Sequence, residues 1–349
     1  MRPGPPTSEP SAERRPSLAR KIVWRIILFT LAAFGLYAVW PRLLQVFSAW
    51  PSLKTLQPGW FLLMLPLEAA SFLSVWVLIR LALGVRSYFL VGTAQLSSNA
   101  LSLVMPGGAA AGGTLMYSML TQGGVEPTRV AGGLTAVTLL SFGTLFALPL
   151  LSVPAILTGA TVNRGLMQTA LAAVGLFLIA ALASAVVLTT DRPLAFVGRA
   201  VQSVLNWVRR RRPPLEGLSG RLLAERDFIK EVLGGHLRQA SLGSLGKVFF
   251  DFGALLAALA AVGTRPRASL VLLAYVVASF LGMVPITPGG LGFVEAGLVG
   301  TLHLAGVGAG DATLATLAYR LVSYWLPMPV GLIALILFRR RYGRGGTDP

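Results

Sequence analysis

Residues Leu242–Val262 read LGSLGKVFFDFGALLAALAAV, an apolar run whose only charged side chains are Lys247 and Asp251. A helix rises about 1.5 Å per residue, so roughly 20 such residues cross the hydrocarbon layer of a bilayer. The run is read as a transmembrane helix. Working outward, Ile22–Val39, Trp60–Ala82, Val130–Val153, Leu166–Leu188 and Ala312–Phe338 meet the same test. Between them the chain is 54% hydrophobic and only 12% charged, where a soluble domain carries about 25% charged residues. The expected fold class is an all-α polytopic membrane protein of about six full spans.

The formal net charge of +17 would suit nucleic acid. Its distribution argues against that partner. The basic residues gather at Arg14–Arg25, Arg192–Arg238 and Arg339–Arg344, each beside an apolar span and with no separate folded domain around it. This is the positive-inside pattern. The chain has no cysteine, and its two histidines, His236 and His303, lie far apart. No disulfide framework, metal site or cofactor is expected. The first apolar stretch is long for a signal peptide and has no small-x-small cleavage site after it, so it reads as the first span.

Charge also orients the spans. Arg14, Arg15, Arg20 and Lys21 place the N-terminus in the cytoplasm, and Arg339–Arg341 place the C-terminus there. On this topology only Arg42, Lys54, Arg164, Arg265 and Arg267 face outward, and Arg320 lies within the last span. The remaining basic residues, Lys247 included, are counted as cytoplasmic. The domain reading is a disordered basic tail over 1–20, one transmembrane domain over 21–340, and a cytoplasmic tail over 341–349. A basic cytoplasmic loop covers 190–241. Within it, Glu216–Gln239 has the apolar spacing of a surface amphipathic helix, and Arg209–Arg212 would face anionic headgroups.

Two apolar segments do not read as ordinary spans. Residues 88–121 are broken by Pro106-Gly107-Gly108 and are too few for two crossings. Residues 269–305 are broken in the same way by Pro288-Gly289-Gly290. Each is expected to be a re-entrant hairpin. The span before each break carries one acid, Glu68 in the first case and Asp251 in the second, and an apolar span follows each. Span–hairpin–span therefore occurs twice, over about 60–153 and about 242–338, with opposite orientation on the charge model. Such inverted repeats with discontinuous helices are common in transporters.

Glu68, Asp251, Glu295 and Arg320 interrupt apolar segments. A charge at the centre of a membrane helix costs about 2.5–3.5 kcal/mol on insertion scales. Either these groups pair to hold the bundle together, or they line a polar substrate path. Tyr319, beside Arg320, joins the candidate binding residues, and Asn99 and Tyr275 are weaker candidates, since a hydrogen-bonded asparagine or an interfacial tyrosine is usually structural; His303 is read as a satisfied interfacial histidine. The glycines at the breaks either admit close helix packing or leave half-helix N-termini facing a cavity, where an anionic phosphate would be favoured. Gly107–Thr114 resembles a phosphate-binding loop, but glycine occupies the lysine position and no strand precedes it.

Pro288-Gly289-Gly290-Leu291-Gly292-Phe293-Val294-Glu295-Ala296 resembles the P-G-G-x-G-x-x-E-A signature of the lysylphosphatidylglycerol synthase transmembrane-region family. That family includes the flippase part of MprF-like proteins and YbhN-like membrane proteins. Ala318-Tyr319-Arg320 followed by Tyr324-Trp325-Leu326-Pro327 resembles its Y-R…W-x-P ending, and Asn99 and Asp251 also fit. The resemblance covers roughly 20–340.

The resemblance implies a bacterial cytoplasmic-membrane protein that handles a lipid by flipping its headgroup across the bilayer. The partner would be an anionic or aminoacylated phospholipid or a polyprenyl lipid. The implied binding residues are Glu68, Asn99, Pro106, Gly107, Gly108, Asp251, Pro288, Gly289, Gly290, Gly292, Glu295, Tyr319 and Arg320. Some relatives carry a soluble aminoacyl-lipid synthase domain. The expectation here is that no such domain follows and that the chain is not an enzyme. Ala109–Gly113 lack the acid and base often found after the first turn. An intramembrane enzyme acting on a lipid headgroup, and a scaffold for a separately encoded synthase, are the alternatives. A homodimer is compatible with each.

Overall fold

The computed structural model of the chain describes residues 57–105, 108–148, 150, 190–208, 216–234, 237–283 and 290–343, with scattered positions between 168 and 189. The expected span Ile22–Val39, most of Leu166–Leu188, the N-terminal tail, residues 344–349 of the C-terminal tail, Pro106, Gly107, Arg209–Arg212, His236, Pro288 and Gly289 lie outside the described residues.

The described secondary structure is helical. In chain order the elements are α1 (Pro58–Leu83), α2 (Tyr88–Val104), α3 (Gly108–Gln122) and α4 (Pro127–Ala147), then α5 (Asp191–Val208), α6 (Leu218–Gly234) and α7 (Leu237–Val262). They continue with α8 (Ala268–Met283), α9 (Phe293–Leu304), α10 (Ala309–Arg320) and α11 (Pro327–Tyr342), with a π-helical turn at Leu321–Trp325 between the last two. Pro58 and Pro127 open α1 and α4 at positions where the missing N–H is not needed. Four stretches are long and apolar enough to cross a membrane: Pro58–Leu83, Pro127–Ala147, Arg238–Val262 and Ala309–Tyr342. Their outward faces expose Leu62, Leu73, Leu139, Phe249, Leu332 and Ile333. Helices apolar on both their inner and outer faces suit lipid surroundings.

The two long helices α1 and α7 pack side by side and run antiparallel. Gln57 N–H donates to the Ala261 carbonyl at 2.9 Å, and Ser71 Oγ donates to the Lys247 carbonyl at 3.1 Å. As residue number rises along one helix it falls along the other. Glu68 and Asp251, the acids at matching places in the two units, come level near the middle of this contact. Gly243 and Gly246 meet Ser74 and Leu78 there, so the backbones approach closely.

Each long helix is followed by a pair of shorter ones packed on each other, α2 with α3 and α8 with α9. These have 17, 15, 16 and 12 residues, each below the roughly 20 that a full span needs. In the first pair a side chain at Gly108 would meet the Ser102 backbone, and one at Gly112 would come 2.6 Å from the Ser98 carbonyl. The close-packing role of these glycines is therefore realised. The units also interlock. In α11, the Gly331 carbonyl accepts from Ser97 Oγ of α2 at 3.2 Å, and Tyr324 Oη donates to the Leu103 carbonyl at 3.0 Å.

The last apolar run departs from a simple helix. Pro327 supplies no N–H and its ring crowds the preceding turn. The Leu326 N–H instead bonds the Leu321 carbonyl five residues back at 2.9 Å, which widens the helix into the π turn.

The segment expected to be a loop at 190–241 holds α5 and α6. The expected amphipathic helix over Glu216–Gln239 is corrected to Leu218–Gly234, because Leu237 already opens α7. The strongly amphipathic element is α5, which the sequence reading passed over. Gly198 lies against Ser219 and the Gln202 side chain accepts from the Leu218 N–H at 3.2 Å, so α6 covers one side. Phe196, Val197, Val201, Val204 and Trp207 are exposed along the other.

A surface-lying helix of this kind dips its apolar face into the lipid boundary. The chain has no native cysteine, which permits single-site labelling. A fluorophore at Val204→Cys, in full-length protein in bilayer discs, is expected to be quenched by brominated lipid several-fold more strongly than one at Arg199→Cys on the polar side. Equal quenching would remove α5 from the membrane surface.

Candidate functional site

A cavity of about 540 Å³ opens where α1, α2, α3, α7 and the π turn converge. Glu68, Asn99, Gly108, Asp251, Gly290, Tyr319 and Arg320, all singled out from sequence, line it. Lys247, Gln95, Ser71, Ser102, Ser323 and Tyr324 add further polar groups. Polar side chains from both halves of the chain are thus gathered inside an otherwise apolar bundle.

Asp251 organises one end. Tyr319 Oη donates to its Oδ1 at 2.7 Å, while Tyr275 Oη and Lys247 Nζ donate to its Oδ2 at 2.8 Å and 2.9 Å. These donors come from α10, α8 and α7 itself. Both carboxylate oxygens are satisfied, as a buried charge requires. Two expectations are corrected here. Lys247 does not belong with the cytoplasmic charges. It lies within the span, one helical turn from Asp251, and pairs with it because a buried carboxylate needs a cation. The spacing of four residues was the available signal. Tyr275 is not interfacial but buried, because its hydroxyl has this acceptor inside the bundle.

Glu295 and Arg320 organise the second end. Gly290 and Gly292 have φ of 70° and 87°, in the left-handed region that favours glycine. This turn starts α9 with Glu295 in its first helical turn. Glu295 Oε2 accepts from the Gly292 N–H at 2.6 Å, reaching back over the helix N-terminus. Its Oε1 accepts from Arg320 Nε at 2.7 Å, and the Arg320 guanidinium stacks 4.2 Å from the Tyr324 ring centre. Of the two roles left open for Arg320, the structure forms the pairing with Glu295 and also sets the arginine at the cavity wall.

Glu68 stands apart. It is 8% exposed, lines the cavity, and its Oε2 is buried with no hydrogen-bond partner among the described residues. His303 is exposed, with Nδ1 3.1 Å from the Val307 carbonyl, and takes no part in the site. Among the described residues no group of acids and histidines is placed to hold a metal ion.

Long apolar helices around a charged internal cavity define a multi-pass α-helical membrane protein. The family described as "Lysylphosphatidylglycerol synthase TM region" matches residues 22–331, nearly the whole chain, and the chain belongs to it. A stretch of 98 residues is 37% identical to a protein described as "UPF0104 membrane protein" from Methanothermobacter thermautotrophicus, covering 28% of each chain. A second match of the same description and organism is 32% identical over 78 residues, covering 22% of this chain and 23% of that protein. The chain spans about a quarter of the length of the curated relatives it matches.

Proposed function

We propose that this protein translocates a lipid headgroup across the cytoplasmic membrane, with both termini in the cytoplasm, and that it is not an enzyme. The observation that carries this reading is the cavity. Its charged and hydrogen-bonding groups come from both units at mid-span, and nothing in bundle stability requires the open volume. A polar headgroup would enter there while its acyl chains stay among the exposed apolar faces of the long helices.

The short-helix pairs act in this proposal as re-entrant hairpins of an inverted repeat. Antiparallel α1 and α7, with Glu68 and Asp251 level at their contact, support that symmetry, and the helix lengths support the hairpins. Arg320 meets the lipid phosphate as a charge-assisted donor. The Lys247–Asp251 pair and Asn99 serve the remaining polar groups of the headgroup. The substrate class is an anionic or aminoacylated phospholipid or a polyprenyl lipid.

The test is a reconstituted translocation assay. Headgroup-labelled lipids of each class are placed in liposomes, and a membrane-impermeant reductant reports which leaflet they occupy. One class is expected to move in the presence of protein, and Asn99→Leu is expected to slow it at least about tenfold, the loss expected when a buried polar contact is removed. Wild-type movement in Asn99→Leu, or no movement of any class, would sink the proposal.

A further inference from the structure

Once Glu295, which pairs with Arg320 behind the cavity wall, is counted, the charges at the cavity do not balance. Lys247 is matched by Asp251, and Arg320 by Glu295. Glu68 remains, on α1, with no cation of its own among the described residues. The groups around it can be named element by element. Lys247 and Asp251 stand on α7, Tyr275 on α8, Glu295 on α9, and Tyr319 and Arg320 on α10, with Tyr324 on the π turn. The α2 wall offers Gln95, Asn99 and Ser102, and the α4 wall Phe142, none of them titratable.

Two carboxyl groups from matching places in the two units therefore share one cavity with opposite surroundings. Asp251 accepts three hydrogen bonds, one of them from the Lys247 ammonium, so its anion is held. Glu68 is only 8% exposed, and its Oε2 meets no donor among the described residues. A carboxyl group buried in this way, with one oxygen lacking a donor and the neighbouring Lys247 already paired with Asp251, sheds its charge by taking a proton, which is far less costly than remaining ionised in a medium of low dielectric. When two acids in one site are surrounded so differently, one is the fixed anion and the other the proton carrier.

We propose that Glu68 is a proton-exchange site, loaded with a proton in the arrangement described here and emptied when the cavity admits water or a cationic group. The proton leaves to the water that enters the cavity, and the carboxylate that results is neutralised by the entering cationic group. Coupling of this exchange to lipid movement rests on the translocase reading; the proton site itself does not.

The experiment has two arms. In the first, infrared difference spectra of the full-length protein in lipid are recorded between acidic and alkaline buffer. A protonated-carboxyl band is expected, lost in Glu68→Gln, retained in Glu295→Gln, and displaced in frequency in Glu68→Asp, which keeps a carboxyl should the glutamine variant fold poorly. A band unchanged in Glu68→Gln, or no band in the wild type, would overturn the site. In the second arm, the lipid class that moves is followed under an imposed proton gradient. With one proton per lipid, a tenfold gradient is expected to bias the leaflet distribution about tenfold, and Glu68→Gln to abolish the bias. Lipid movement indifferent to the gradient would overturn the coupling. A Glu68 band without movement of any lipid would leave the proton site standing and overturn the translocase reading.

Discussion

Asp251→Ala is expected to lower stability by about 3 kcal/mol, the low end of the range for stripping one partner from a buried ion pair, because the Lys247 side chain is 43% exposed. The loss has three parts. Lys247 is left as a positive charge inside the span, and the hydroxyls of Tyr275 and Tyr319 lose their acceptor. Those donors sit on α7, α8 and α10, so the variant loosens three helices at once. Asp251→Asn keeps one carbonyl acceptor and is expected to lose less. Tyr319→Phe removes a single hydrogen bond and should cost about 1 kcal/mol. Thermal unfolding of the three variants in one detergent would check the order. An Asp251→Ala protein as stable as Tyr319→Phe would show that the three contacts do not act together.

Arg320→Ala is expected to be as costly in stability, about 3 kcal/mol, and to abolish lipid movement where the translocase reading holds. It leaves Glu295 charged beside the cavity with only the Gly292 N–H against one oxygen. It also removes the guanidinium that stacks on Tyr324, whose hydroxyl ties the π turn to α2. The double variant Arg320→Ala, Glu295→Gln takes away both charges. It should recover much of the lost stability without restoring movement. That split separates the two roles: stability returns when the pair is removed together, while function does not, because the phosphate donor is gone. Recovery of both would reduce Arg320 to a structural counter-charge.

The long spans were legible because their signal is local. An apolar run of sufficient length forms a helix in lipid whatever its neighbours do, since each backbone group must be satisfied within the segment. The helix ends at Val104 and Met283 and the new starts at Gly108 and Phe293 were legible for the same reason, and the positive φ of Gly290 and Gly292 is a local demand that glycine meets. Charge position told which segments contained costly groups. Glu68, Asp251, Glu295 and Arg320 all stand out from their flanks, and Glu68, Asp251 and Arg320 line the cavity while Glu295 holds Arg320 in place.

Lys247 shows where local reading fails. Near a span end, a lysine looks like a topology marker, and its place inside the site depends on α1 and α7 crossing where they do. The same holds for Tyr275, whose hydroxyl belongs in the interior only because Asp251 of another helix meets it. The amphipathic face of α5 is present in the sequence at 191–208, but it lies within a strongly basic stretch whose charge alone reads as a cytoplasmic loop. Sequence alone determined that this chain is a helical membrane protein, where its helices break, and which charges need partners, because each follows from the cost of placing a group in lipid. Only the tertiary structure decided the partners. It saturated Asp251 and left Glu68 Oε2 without a donor among the described residues, because hydrogen bonding between helices depends on crossing point and rotation, which no single segment encodes.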